Sequence, residues 1–236
     1  MNGKLRRNRI LEIMRKQGFT TVSYLCEALH YSSATINRDL NLLEGQKLIK
    51  RSYGGAEFLE NKSIPFPYRY NKEKKEKRLV AKKAASLVED GDTIFIDATT
   101  TTQYMMHYLT EKKNIRVITP NIAIVSFLSE YNIEVICLGG NVVDPPHILG
   151  GEDTVLAASR YRADKAFIAT CSISEDGLIG TRGGIILQKT LMANSKKVYY
   201  LADHAKLNHS FNSIVCDLNE FSTVITDFEF PKETKD

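Results

Sequence analysis

Ser33, Thr35, Asn37, Arg38 and Asn41 lie close together in this sequence. Short hydrogen-bonding side chains with one guanidinium are the types that read base edges and grip phosphates. Interleaved with them, Ile36, Leu40 and Leu43 recur at helical spacing, so one stripe is buried and the polar set lies off it. Ser32 can cap that helix, its hydroxyl accepting from a free backbone N–H, and Gly45 ends it. Leu48 to Ser52 then reads as a basic strand, Tyr53-Gly54-Gly55 as a tight turn, and Ala56 to Leu59 as the return strand. A helix followed at once by a basic hairpin describes a winged helix-turn-helix. Thr35 and Asn37 are expected to face base edges of double-stranded DNA, with Arg38, Lys50 and Arg51 mainly on phosphates. Arg7, Thr21, Ser32, Ser33, Tyr53 and Gly54 complete the expected DNA surface.

A second set of residues follows apolar runs farther along. Asp97-Ala98-Thr99-Thr100-Thr101-Thr102 ends one run and leads into a helix, where hydroxyls and backbone N–H groups suit a phosphate or a sugar hydroxyl as well as a plain helix cap. Thr119-Pro120-Asn121 ends the next; Asn121 either caps a helix or faces a pocket. Gly139-Gly140-Asn141 ends a third and permits close backbone approach. Ala202-Asp203-His204-Ala205-Lys206 ends a later one, and its lysine is a natural anion partner. In open parallel sheets ligands bind beyond the carboxyl ends of strands, so these stretches belong at one mouth.

The elements that hold these sets follow from periodicity. Residues 4–17 read as a first helix with Ile10, Ile13 and Met14 inward, and residues 22–29, capped by Thr21, as a second with Val22, Leu25 and Leu29 inward. Residues 1–59 therefore form a winged helix-turn-helix unit, and residues 60–72 a linker in which Pro65 and Pro67 discourage regular structure. Aromatic Phe66, Tyr68 and Tyr70 suggest that the linker packs on the body. In residues 73–236 helical and extended patterns alternate, with strands expected at 93–97, 115–119, 134–138, 165–170, 198–202 and 223–226. Repeated β-α-β argues for an α/β body with a mostly parallel sheet covered by helices.

Charge is divided in the same way. The formal net charge is only +4, yet residues 1–58 hold ten Lys/Arg against five Asp/Glu, and residues 59–83 nine against three. A basic front on an acidic body suggests nucleic acid at the front and another partner behind. The four cysteines form no C-x-x-C pair, so reduced thiols are expected, and the five histidines form no metal-ligand pattern. No metal and no cofactor is expected. With no apolar stretch of membrane length and no apolar signal core at the front, a soluble cytoplasmic protein is expected, without a membrane partner. A nucleophile elbow, a dinucleotide-binding glycine motif and a P-loop are all missing from the sequence, which weighs against catalysis.

The sequence resembles the DeoR family of bacterial transcriptional regulators. The resemblance is carried by Arg7 to Ile13, by Ser32-x-x-Thr35-Ile36-Asn37-Arg38-Asp39-Leu40-x-x-Leu43-Glu44, and by Leu48-x-Lys50-Arg51-x-Tyr53-Gly54-Gly55-Ala56. It implies a body similar in fold to ribose-5-phosphate isomerase, a repressor of sugar genes bound to operator DNA, and a phosphorylated sugar as effector. The alternative is an isomerase-like enzyme with a DNA-binding appendage. Asp97, Thr100, Thr101, Asn121, Gly139, Gly140, Asp203 and Lys206 match the family's strand-end residues, and Lys189 its helix lysine. Asn37 stands where the family usually has arginine, Thr99 where it has glycine, and Ile185 where it has glutamate; Ala169-Thr170-Cys171-Ser172 replaces Gly-Ala-Asp-Gly. Thr99 counts with the effector set but is expected to weaken phosphate binding. A homo-oligomer is expected, since one small headpiece reads only a few base pairs.

Overall fold

A computed structural model describes residues 3–17, 19–46, 48–59, 66–144, 147–174, 177–181, 184–207 and 213–229. The chain divides into two compact units between Ile64 and Pro65. The first contains α1 (Gly3–Gln17), β1 (Thr20–Thr21), α2 (Val22–Leu29), α3 (Ser33–Gly45), β2 (Ile49–Ser52) and β3 (Gly55–Phe58). Thr21 caps α2 by accepting from the Tyr24 N–H, and Ser32 caps α3 by accepting from that of Thr35. The strands form an antiparallel sheet in the order β1-β3-β2. Gly55 is required in it: a Cβ there would lie 2.4 Å from the Thr20 carbonyl oxygen, so β3 meets β1 only without one.

Ile10, Leu11, Met14, Leu25, Ile36, Leu40, Leu43, Leu48 and Ile49 form the core of this unit. Ile13, Val22 and Leu29, expected inward, are only partly buried. Asp39 lies within the buried stripe of α3, 1% exposed. Its carboxylate accepts from Arg6 Nε and, at 3.3 Å, from Arg7 Nη1. The Arg6 guanidinium is also buried and lies 4.6 Å from the centre of the Tyr31 ring. Asp39 raises the already high pKa of Arg6, chiefly through their hydrogen bond. A buried carboxylate is tolerated only with such partners.

The second unit opens with α4 (Phe66–Asn71), inside the stretch expected to lack regular structure. Pro67 sits in its first turn, where no backbone N–H is needed, so a proline there does not break a helix. Tyr70 stacks on Tyr104 at 4.4 Å between ring centres, and Phe66 is buried, in keeping with aromatics that pack on the body. The Tyr68 side chain lies outside the described residues. There follow α5 (Lys74–Ser86), β4 (Thr93–Ile96), α6 (Thr100–Gln103), α7 (Met106–Leu109), β5 (Arg116–Thr119), α8 (Ile122–Leu128), β6 (Glu134–Cys137), the hairpin β7 (Asn141–Asp144) and β8 (Ile148–Gly150), α9 (Glu152–Ser159) and β9 (Ala163–Ile168). The chain continues with β10 (Ser172–Ile173), β11 (Leu178–Thr181), α10 (Ile185–Ala193), β12 (Ser195–Ala202), β13 (Ser213–Asp217) and β14 (Thr223–Thr226).

Six strands form one sheet in the order β14-β12-β9-β4-β5-β6, every pairing parallel. Both faces are covered, so the strands read as continuous apolar runs whose alternate residues enter two cores. Ile94, Ile96, Val117, Phe167, Tyr199 and Leu201 join α5 to α8 on one side. Phe95, Ile118, Ala166, Ile168, Tyr200 and Ala202 join the other, with Leu191 of α10. A small antiparallel sheet, β10-β11-β13, packs there as well; its short strands were not expected from the sequence. From β4 the chain adds β5 and β6 outward, then returns to add β9, β12 and β14 on the opposite flank. The order reverses between β4 and β9, which is the switch point where parallel sheets leave a crevice at their carboxyl ends.

Candidate functional site

On the first unit, α3 and the β2–β3 hairpin present the expected polar residues. Ser33, Arg38, Asn41, Lys50, Tyr53 and Gly54 are exposed, and Thr35 and Asn37 are half-buried. Gly54 adopts φ +77° at the hairpin tip, where Tyr53 projects fully into solvent. Several residues assigned to DNA also have structural partners. Thr21 and Ser32 are helix caps, and Arg7 bonds Asp39. Arg51, also expected on phosphate, donates from Nη1 to Asn41 Oδ1 and from Nη2 to Asn37 Oδ1, each at 2.5 Å.

On the second unit, Asp97 follows β4 directly at the switch point and is 2% exposed. Its Oδ1 accepts from the Thr99 N–H at 2.9 Å, the Thr99 hydroxyl at 2.8 Å and the Thr102 hydroxyl at 2.6 Å. Its Oδ2 accepts from the Ala169 N–H at 2.8 Å, beyond the end of β9. The carboxylate thus ties the ends of β4 and β9 together. Burial pushes its pKa up, and these four donors oppose that shift. All four neighbours donate, so the ionised form fits the arrangement. Thr99, at an extended φ of −87°, caps α6 and needs no glycine-like conformation.

Asn121 is fully buried. It caps α8 through Oδ1 and donates from Nδ2 to Gln103 Oε1 at 2.9 Å. Of the alternatives open to it, the cap is the one the structure has. Gly139 and Gly140 are exposed. At Gly140, with φ +129°, a Cβ would lie 2.1 Å from Thr154 Oγ1, so the protein's own packing requires glycine there; at Gly139 a Cβ would meet nothing within 4 Å.

Lys206 follows β12 and donates to the Thr170 carbonyl oxygen at 2.6 Å, joining the ends of β12 and β9. Burial lowers its pKa, with Asp203 and Asp97 acting in the opposite sense. Lys77 of α5 is buried as well and donates to the carbonyl oxygens of Arg69 and Lys72, at and just beyond the end of α4. Burial pulls it down to about 7; Asp203 opposes this, and Lys206 and Arg69 add to it. Asp203 Oδ2 and Thr101 Oγ1 are buried with no hydrogen-bond partner among the described residues. Thr100 and Thr101 are both buried behind the loop. Asp203, Lys77, Thr102 and Gln103 belong to this neighbourhood but stood outside the candidate effector set. Asp203 was legible as a strand-end acid, whereas Lys77 lies in a basic run with no mark to separate it from its neighbours.

The two buried lysines make stability rise with pH, against an opposite contribution from His204, whose pKa Asp227 raises. Lys77 stays protonated in the unfolded chain to about pH 10.4 but only to about 7 in the folded one. Above pH 7 the unfolded state therefore binds more protons, and stability rises with pH, by at most about 1.4 kcal/mol per unit per group. Lys206 acts in the same sense. Cys216, pushed up from 9.0 to about 12 by burial, reverses the trend above its unfolded value. Urea denaturation of the body is expected to show stability rising between about pH 7 and 8.5, with a smaller rise in Lys77→Met. A flat or falling profile in the parent would contradict this.

A helix-turn-helix unit with a hairpin wing, followed by a parallel α/β body whose strand order reverses between β4 and β9, is the build of a DNA-binding regulator with a sensing domain. Residues 6–62 match the DeoR-like helix-turn-helix domain, and residues 72–228 the DeoR C terminal sensor domain. The HTH-type transcriptional repressor GlcR of Bacillus subtilis is 33% identical over 222 residues, 92% of this chain and 86% of that one. The glycerol-3-phosphate regulon repressor of Escherichia coli is 30% identical over 227 residues, 94% and 90% of the two chains. The chain belongs to the DeoR family of transcriptional regulators. Among solved structures, ribose 5-phosphate isomerase from Methanocaldococcus jannaschii overlies 56% of this chain and 53% of its own, at 21% identity and a TM-score of 0.41. Among the described residues no helix is long and apolar enough to cross a membrane, and no His/Cys/Asp/Glu group is placed to hold a metal.

Proposed function

We propose that the protein is a repressor of carbohydrate genes that binds double-stranded operator DNA through α3 and the hairpin wing. A phosphorylated sugar in the strand-end crevice changes its grip on DNA. One observation carries the effector reading: beyond the ends of β9 and β12, where Lys206 donates to the Thr170 carbonyl oxygen, Asp203 Oδ2 and Thr101 Oγ1 are buried with no partner among the described residues. A bound dianion would favour the protonated form of Lys206, whose pKa burial lowers, and the open carboxylate oxygen of Asp203 suits a sugar hydroxyl. The repressor of a glycerol-3-phosphate regulon among its relatives, itself named for a phosphorylated polyol, supports the same class. In this reading Lys206 and the Thr101 hydroxyl take the phosphate, and Asp203 accepts from the sugar. Asp97 organises the loop, its oxygens already facing protein donors.

Calorimetry with a panel of phosphorylated sugars tests the effector. Lys206→Ala is expected to abolish binding, a loss of at least about 100-fold, since a desolvated charge-assisted contact is removed. Thr99→Gly is expected to tighten it by removing a side chain from where the backbone would approach the phosphate. If no phosphorylated sugar binds the parent or Thr99→Gly, and a non-phosphorylated ligand releases DNA, the phosphate reading falls. The repressor acts as a homo-oligomer in this proposal, because a single headpiece spans few base pairs. Exposed Leu156 and Ile186 on the adjoining helices α9 and α10 offer apolar surface for it. Sedimentation of the intact chain as a monomer would overturn the oligomer.

A further inference from the structure

Arg51 of the wing reaches three residues of the recognition helix. Asn37, Asn41 and Glu44 recur along one face of α3 at helical spacing. Arg51 of β2 engages all three: its backbone N–H donates to Glu44 Oε1 at 2.9 Å, Nη1 to Asn41 Oδ1 and Nη2 to Asn37 Oδ1, both at 2.5 Å. Asn37 Nδ2 donates in turn to the Ser33 carbonyl oxygen at 2.9 Å. Guanidinium groups only donate and carbonyls only accept, so the Asn37 amide can have only one orientation. Its oxygen faces Arg51, and its NH2 keeps one hydrogen for another acceptor.

We propose that Arg51 is a specificity-determining positioning residue, which sets how Asn37 reads a base rather than serving as a phosphate clamp. The inference rests on the reading of α3 as the DNA-reading helix. Held this way, Asn37 presents an N–H donor to the groove and not a free carboxamide able to turn either way. The base edge it selects must offer an acceptor, such as purine N7, guanine O6 or thymine O4, and the exocyclic amine of cytosine is disfavoured. A planar fork that reaches two carboxamide oxygens at once is something lysine cannot reproduce, although lysine retains the charge.

The test uses the full-length protein and the double-stranded sequence that it enriches from a randomised DNA pool. Affinities for that sequence, for each single base-pair change in it and for random DNA are measured at several salt concentrations. The proteins compared are the parent, Asn37→Ala, Arg51→Ala, Arg51→Lys and the Asn37→Ala/Arg51→Ala pair, with circular dichroism to confirm folding. Arg51→Ala and Arg51→Lys are expected to lose about tenfold discrimination at the base pair that Asn37→Ala also relaxes. The double variant is expected to lose no more than either alanine variant, and the salt slope to stay near the parent value. A phosphate clamp gives another pattern: Arg51→Ala weakens all DNA alike with a salt slope lower by about one, Arg51→Lys restores binding, and the Asn37 preference survives. That pattern would overturn the positioning role and leave the DNA-reading helix standing. A parent that enriches no sequence would overturn both. Should Arg51→Ala fail to fold, Arg51→Lys decides between the two patterns by itself.

Discussion

Replacing Asp39 with alanine is expected to remove most of the stability of the N-terminal unit, and operator binding with it. The carboxylate is 1% exposed and pairs with Arg6, which is 7% exposed. Removing it leaves a buried guanidinium without its counter-charge, a change that costs about 3–5 kcal/mol. Arg7 is affected less, since its side chain already reaches solvent and regains water when the pair is lost. A unit of this size has only on the order of 3–9 kcal/mol in total. Thermal unfolding followed by far-ultraviolet dichroism, together with a DNA-binding titration, reads both effects. A second variant separates loss of charge from loss of shape: Asp39→Leu with Arg6→Met replaces the pair by apolar groups, and is expected to be more stable than Asp39→Ala. If Asp39→Ala melts within a few degrees of the parent, the pair does not hold the three helices together.

Asp97→Ala is the second large change, and it acts on the body. Four donors converge on that carboxylate, and two of them, the Thr102 hydroxyl and the Ala169 N–H, are buried. The Thr102 hydroxyl can turn to the Thr99 carbonyl oxygen at 3.1 Å, but the buried Ala169 N–H is left unsatisfied, so a loss of roughly 2–3 kcal/mol is expected. Asp97→Asn is expected to lose less. Its oxygen can replace Oδ1, which accepts three bonds, but its NH2 then faces the Ala169 N–H, donor against donor. Because the carboxylate joins the ends of β4 and β9, either variant is also expected to reduce effector binding without touching the ligand. Urea denaturation gives the stability, and hydrogen exchange at Ala169 reports the lost bond. An Asp97→Ala chain within about 1 kcal/mol of the parent would show that the loop holds its shape by other means.

These two carboxylates show how far local pattern carries. The buried stripe of α3 was legible, because Ile36, Leu40 and Leu43 repeat at helical spacing. Asp39 lies on that same stripe, and an acid there demands a buried partner. Helical phase does not say which cation of α1 turns inward, so Arg6 was indistinguishable from Arg7 or Arg9 as a phosphate contact. The caps Thr21 and Ser32 are short-range signals and were readable for that reason. Within the body, the strands buried on both faces stood out as apolar runs. Strands β10, β11 and β13 did not: β10 is only two residues long, and β11 meets β13 through a pairing between distant segments that carries little local pattern.

The sites divide along the same line. That strand ends would carry Asp97, Thr101 and Lys206 follows from the order of residue types along the chain. Which of these groups face each other depends on the strand order β14-β12-β9-β4-β5-β6, whose reversal places the ends of β4, β9 and β12 side by side. Only that arrangement turned Asp97 toward Ala169 and Lys206 toward Thr170. On the DNA side, Asn37 and Arg51 were identifiable as polar groups of the right kind. Their hydrogen bond spans fourteen positions in sequence and exists only because the wing folds back along α3. Residue type and short-range spacing act within a few positions of the chain, so they specify helices, caps and turns. The partner of a charge is decided by packing between distant segments, and here that packing assigns Arg6 to Asp39, Asp97 to Ala169 and Arg51 to Asn37.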